Sequence, residues 1–186
     1  MESTHRASPR SSSSHLLGFT LVELLVTLAL LGVLIGIAAP GFSDMLRENQ
    51  LTTATNRFLT ALHYTRSEAI KRGTRVTMCK SADGVACATD GDWEQGWIIF
   101  PDPNANGERD AGETVLIAES GQGGGLTITG NQWVNRYISY LPQGWTRLVG
   151  GGLQMGTLDL CKEDTARSIV ISRSGRPRTE PGTCPE

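Results

Sequence analysis

Histidine is scarce in this chain: there are three, and His63 alone lies beyond residue 18. No two of the four cysteines form a C-x-x-C pair. These absences argue against a zinc centre, which draws its ligands from closely spaced Cys and His pairs. They also leave no Ser/His/Asp or Cys/His set on which to build a nucleophile, so catalysis is not expected. Gly121 to Gly125 and Gly150 to Gly152 lack the strand–GxGxxG–helix setting of a nucleotide site, and they read as loops. No cofactor is expected. An excess of positive charge is missing too. The chain carries a formal −2, and Glu2, Arg6 and Arg10 give residues 1–18 a net of +1, which leaves −3 for residues 19–186. A bulk nucleic-acid binder is thereby excluded, and any contact with DNA must come from a local patch.

What is present begins at Gly18. Phe19-Thr20-Leu21-Val22-Glu23 follows it, and an apolar run continues to Ala39, with Glu23 as its single charge. About 20 apolar residues span a bilayer as a helix. A carboxylate inside such a run is costly and is therefore usually functional. A secretory signal peptide has a shorter apolar core with its cleavage site after it, so a site at Ala38-Ala39 fits poorly. A plain anchor explains the hydrophobicity but not Gly-Phe-Thr-Leu-Val-Glu. The stretch resembles the prepilin signature of type IV pilins and type II secretion pseudopilins. That resemblance implies cleavage after Gly18 by a prepilin peptidase, methylation of the new Phe19 amine, and assembly with other pilins into a filament. It also implies that Glu23 pairs with the Phe19 amine of a neighbouring subunit. Residues 1–18 would be the leader, with Arg6 and Arg10 on the cytoplasmic side. The chain would cross the inner membrane once before assembly, with its head periplasmic at first and extracellular in the pilus.

Beyond Pro40, which is expected to kink the helix, the pattern stays helical. Phe42, Met45, Leu46, Ala54, Phe58, Leu62, Ala69 and Ile70 recur at spacings of three and four or their multiples, with Arg47, Glu48, Asn56 and Arg66 opposite. Lys71 and Arg72 suit a helix C-terminus, and Gly73 its cap. A helix over 19–72 would be roughly 80 Å long at about 1.5 Å per residue. After Gly73, short β runs are expected at 75–79, 97–100, 114–118, 126–129, 137–141, 158–161 and 168–172, separated by turn-formers. The fold class is therefore α+β, a long N-terminal helix packed on antiparallel sheet. Its segments are 1–18, a membrane and filament-core helix over 19–40, an amphipathic continuation over 41–73, and a β-rich head over 74–186.

The four cysteines lie in the head, and an even count in an exported domain favours disulfides. Three pairings exist. Cys79–Cys87 with Cys161–Cys184 is preferred because each closes a local loop.

From Cys79 through Trp93-Glu94-Gln95-Gly96-Trp97-Ile98-Ile99-Phe100 to Val115-Leu116, the chain looks like the GspH/FimT group of minor pilins and pseudopilins. Trp93, Trp97, Trp133 and Trp145 are spread over separate segments and read as packing residues rather than a base-stacking platform. Asp102, Asn104, Asn106, Asp110 and Glu113 match the spacing of a calcium loop, yet they lie between predicted strands, and Arg109 stands where an apolar residue belongs. A polar hairpin loop accounts for the same residues.

The tail carries Arg173, and then Gly175-Arg176-Pro177-Arg178. This is similar to the G-R-x-R motif of FimT-type pilins that bind DNA. The resemblance implies that Arg173, Gly175, Arg176 and Arg178 form a site for the backbone phosphates of double-stranded DNA, serving uptake in natural transformation. Lys162 and Arg167 lie nearby in sequence, while Glu163, Asp164, Glu180 and Glu186 hold residues 161–186 to a net of +1. The alternatives are a FimU-like structural subunit that primes pilus assembly and a GspH-like pseudopilin of type II secretion.

Overall fold

The computed structural model describes residues 18–184, apart from the side chains of residues 38–40. Residues 1–17 of the expected leader lie outside the described residues. The chain divides into two compact units, with the boundary in sequence between Phe42 and Ser43, and the helix α1 (Leu21–Arg72) contributes residues to each.

In the first unit the helix begins at a cap. The Thr20 hydroxyl accepts the Glu23 backbone N–H at 3.2 Å, and Glu23 lies in the first turn. Thr-x-x-Glu is the capping-box spacing, and a carboxylate there complements the positive end of the helix dipole. The apolar side chains that follow, from Leu21 to Ile37, are exposed, Phe19 at 81 %. By length and composition no single helix among the described residues is long and apolar enough to cross a membrane. Leu21–Ile37 and Gly41–Arg72 meet that test only as a pair.

In the second unit the rest of α1 packs on two four-stranded antiparallel sheets. The strands are β1 (Val76–Lys80), β2 (Gly96–Pro101), β3 (Ile117–Ser120), β4 (Leu126–Gly130), β5 (Tyr137–Tyr140), β6 (Gly156–Lys162), β7 (Thr165–Ile171) and β8 (Pro177–Pro181). The first sheet has the order β3-β2-β1-β5 and the second β4-β6-β7-β8. The helix buries Leu51, Ala54, Phe58, Ala61, Leu62 and Ala69. Phe58 meets Trp93 and Trp97 edge-on, at centroid distances of 5.3 and 5.1 Å. Met78, Ile99, Ile128, Ile138, Leu158, Leu160, Ile169 and Ile171 complete the core from both sheets.

Three expectations need correction. The buried stripe starts at Leu51, whereas Phe42, Met45, Leu46 and Ile70 are exposed. Trp93 and Trp97 are core residues, but Trp133 and Trp145 are half exposed, at 48 % and 49 %. The tail beyond the last expected strand is itself a strand: β8 is the edge of the second sheet, with Val170 paired to Arg178 and Ile171 to Pro177. Proline cannot donate to a ladder, so Pro177 and Pro181 belong only in a strand with one free edge.

Candidate nucleic-acid interface

The site is built on the β7–β8 hairpin. Ser172 to Arg176 close it: the Gly175 N–H donates to the Ser172 carbonyl at 2.8 Å and the Ser172 N–H to the Arg176 carbonyl at 3.1 Å. Gly175 is required twice. Its φ of +71° is in the left-handed region. A Cβ on it would also stand 2.6 Å from the Gly144 carbonyl oxygen and 3.1 Å from the Trp145 Cα. The turn is therefore seated on the segment between β5 and β6.

Register places Arg176 opposite Ser172 and Arg178 opposite Val170, two residues apart along the chain. Side chains two apart share a face of a strand and lie about 6.6 Å apart at about 3.3 Å per residue. Arg173, at the turn, is exposed, as are Arg176 and Arg178. Among the described residues Arg173 and Arg176 have no carboxylate partner, whereas Arg178 donates to Glu180 Oε1 at 2.6 Å. The neighbours in sequence do not join them as free charges. Arg167 is paired with Glu48 on α1, and Lys162 donates to the Gly124 carbonyl.

Two residues that sequence reasoning did not assign to this site adjoin the hairpin. A cleft of about 290 Å³ is lined by Trp145, Arg147, Leu153, Arg173 and Ser174. Arg147, half buried, also lacks a carboxylate partner among the described residues. The fold brings Gly144-Trp145-Thr146-Arg147 to Gly175 across about 30 residues of sequence, which no local motif signals. Arg66, expected on a free polar face of α1, packs here too, its Nε 3.0 Å from where a Gly144 Cβ would stand.

The β2–β3 loop is a hydrogen-bonded turn. The buried Asp102 carboxylate accepts the Thr77 hydroxyl at 2.8 Å and the N–H groups of Asn106 and Gly107 at 3.0 and 3.1 Å. The side-chain amides of Asn104 and Asn106 donate to Asp110 Oδ2, and the Asp110 N–H donates to Glu113 Oε2. Burial pushes the Glu113 carboxyl above its ordinary value, and the charges of Asp102 and Asp110 push the same way. No group of three or more His, Cys, Asp or Glu side chains among the described residues is placed to hold a metal ion. The oxygens of Asp102, Asp110 and Glu113 in the expected calcium spacing accept hydrogen bonds from Thr77 and from the loop's own donors, as in a polar hairpin loop.

Disulfides join Cys79 to Cys87 and Cys161 to Cys184, with Cα separations of 5.6 and 5.5 Å. The second ties the chain beyond β8 back to β6. In the first unit, Gly18 and Phe19 lie exposed just before α1, with Glu23 in its first turn.

One long N-terminal helix, opening at Thr20 and Glu23 with exposed apolar side chains and packed farther along on two antiparallel sheets, is the architecture of a pilin. The chain matches the family profile of the type II transport protein GspH over residues 54–175 and the prokaryotic N-terminal methylation motif over residues 17–39. The chain belongs to the GspH family, within the GspH/FimT-like minor type IV pilins. It is 32 % identical over 169 residues to the pilin-like protein PilA1 of Thermus thermophilus, covering 88 % of this chain and 97 % of that one. Two crystal structures of the type IV minor pilin FimU of Pseudomonas aeruginosa share the fold. One gives a TM-score of 0.54 at 24 % identity, covering 72 % of this chain and 90 % of that one. The other gives 0.52 at 23 %, covering 70 % and 92 %. The family is structural rather than enzymatic, and its members associate with other pilins in a filament.

Proposed function

We propose that this minor pilin binds extracellular DNA through its β7–β8 hairpin and serves DNA uptake in natural transformation. The observation that carries the reading is the seating of Gly175 on Gly144 and Trp145, in a hairpin where Arg173 and Arg176 are exposed beside Arg178 and have no carboxylate partner among the described residues. Guanidinium groups donate in a fixed fork that suits phosphate oxygens. Contacts of this kind position a duplex without reading its sequence. The mature chain is net acidic, so binding is weak and confined to this patch.

Within the same reading, a prepilin peptidase cleaves after Gly18, and the Phe19 amine is methylated. Glu23 then pairs with that amine in a neighbouring subunit as the helix passes from the inner membrane into the filament. The exposed apolar first unit supports this, since the described residues leave Leu21 to Ile37 uncovered. Those side chains would serve a FimU-like structural subunit or a GspH-like pseudopilin equally, and DNA binding separates the proposal from both.

The test is a salt titration of duplex binding by the full chain in a non-ionic detergent. Each arginine that neutralises a phosphate adds about 0.9 to the slope of log affinity against log salt. Arg173→Gln/Arg176→Gln should weaken binding on every sequence and flatten the slope by about 1.8. Wild-type affinity and slope in that variant, or no binding by the wild type at low salt, would leave the structural role as the better account.

A further inference from the structure

We propose that the cleft bounded by Trp145, Arg147, Leu153, Arg173 and Ser174 is a subsite for one unstacked nucleobase and its adjoining phosphate. The inference rests on the DNA-binding reading and deepens it, because it adds contact with bases to contact with the backbone.

Four observations carry it. Trp145 is 49 % exposed, although the folded head has room for Trp93 and Trp97 at 0 % and 1 %. An indole face left open beside an aliphatic wall, here Leu153, is a stacking surface, and every base has a π-face to offer it. Arg147 and Arg173 line the same cleft as Trp145 and have no carboxylate partner among the described residues, so two guanidiniums are available to a phosphate there. Among the described residues no carboxylate or amide side chain lines the cleft. A cationic ligand would need carboxylates to balance its charge, whereas two guanidiniums suit an anionic one. Finally, Trp145 adjoins the hairpin through Gly175, so the cleft continues the row of Arg173, Arg176 and Arg178 rather than standing apart from it. At about 290 Å³ the cleft lies at the small end of ligand sites, sized for one ring system.

Bases inside a duplex are stacked on each other and do not reach such a cleft. The subsite therefore favours single strands, overhangs and frayed ends over blunt duplex. Its role would be to hold a DNA end while the hairpin holds the backbone.

The experiment uses the full chain in a non-ionic detergent and fluorescence anisotropy with three probes. These are a short oligothymidine, a base-free deoxyribose-phosphate oligomer of equal length and charge, and a blunt duplex. Wild type should bind oligothymidine at least about fivefold more tightly than the base-free strand. Trp145→Leu keeps an apolar side chain but removes the π-face, so it should erase that ratio while base-free binding stays as it was. Trp145→Phe should restore part of the ratio. Arg147→Gln should weaken both single strands by the same factor. A fluorescence measurement in a Trp133→Phe chain covers the case in which Trp145→Leu does not fold. There oligothymidine should quench the indole emission and the base-free strand should not. Equal binding of the two single strands by wild type, an unchanged ratio in folded Trp145→Leu, or identical emission with both strands would overturn the subsite. The blunt duplex judges the hairpin separately. Duplex binding unaffected by Arg173→Gln/Arg176→Gln counts against the hairpin, whereas the ratio between the two single strands judges the cleft.

Discussion

Glu180 is the internal competitor of the proposed phosphate site, and replacing it with Gln should strengthen DNA binding. The carboxylate holds Arg178 at 2.6 Å, with the two side chains 59 % and 45 % exposed. Solvent screens a pair so open, and it is worth about 0.2–1 kcal/mol. A phosphate that captures Arg178 must first dissolve that pair. Glu180→Gln removes the competitor, so it returns up to about 1 kcal/mol to binding, which is about fivefold in affinity. The released guanidinium adds about 0.9 to the salt slope. Arg178→Gln alone should change little, because Arg178 is already engaged. In Glu180→Gln/Arg178→Gln the steepening should vanish, and this double variant also controls for the loss of one negative charge from the surface. The assay is anisotropy of a labelled duplex over a series of salt concentrations, run on all four chains. If Glu180→Gln leaves slope and affinity unchanged while Arg178→Gln flattens the slope by about 0.9, Arg178 binds phosphate unhindered and the competition does not exist.

Three further outcomes are expected. Gly175→Ala forces a Cβ into left-handed backbone, at a cost of about 1–2 kcal/mol, and against the Gly144 carbonyl at 2.6 Å. Both the melting temperature and the salt slope should fall, and unchanged melting would refute the seating of the hairpin. Glu68 is buried, and a hydrogen bond from Arg72 at 2.6 Å lowers its folded carboxyl despite the opposing effect of burial, with Lys71 assisting. Its contribution to stability is therefore complete above the unfolded value of about 4.3 and is lost as pH falls through the lower folded value. Glu68→Gln should melt earlier at neutral pH and lose less on acidification, and parallel melting-versus-pH curves for the two chains would refute this. Glu23→Ala should reduce incorporation into filaments without moving the melting of the head, since Glu23 lies in the other unit. Normal incorporation, scored by immunoblot of sheared pili, would count against the pairing with a neighbour's amine.

The α+β class was legible because its signals are periodic: three-and-four spacing up to Arg72, then short runs broken by glycine. What escaped was set by tertiary contact. The spacing that marks Phe42, Met45 and Leu46 is the same as that of Leu51, Ala54 and Phe58, but the sheets cover only the latter. The prolines of β8 speak against a strand until its position at the sheet edge is known. Glu23 looks purely functional in the sequence, yet the backbone gives it a capping-box place beside Thr20 as well. Trp145 and Trp97 are alike as letters, and only the fold buries one and opens the other. Arg173, Arg167 and Lys162 are likewise equal as sequence charges, and Glu48 and the Gly124 carbonyl engage two of them.

The Cys161–Cys184 bond has a mechanical consequence. An edge strand with one loose end peels from its sheet one hydrogen bond at a time, a path that needs little force. In this head β8 is restrained at both ends, by the turn at Gly175 and by the covalent link beyond Pro181. Tension applied to Arg178 in β8 cannot open a fork at either end. The five rungs from Ile171–Pro177 to Arg167–Pro181 must shear together. A surface strand so fastened behaves as a handle, able to carry a load that its hydrogen bonds would not bear singly.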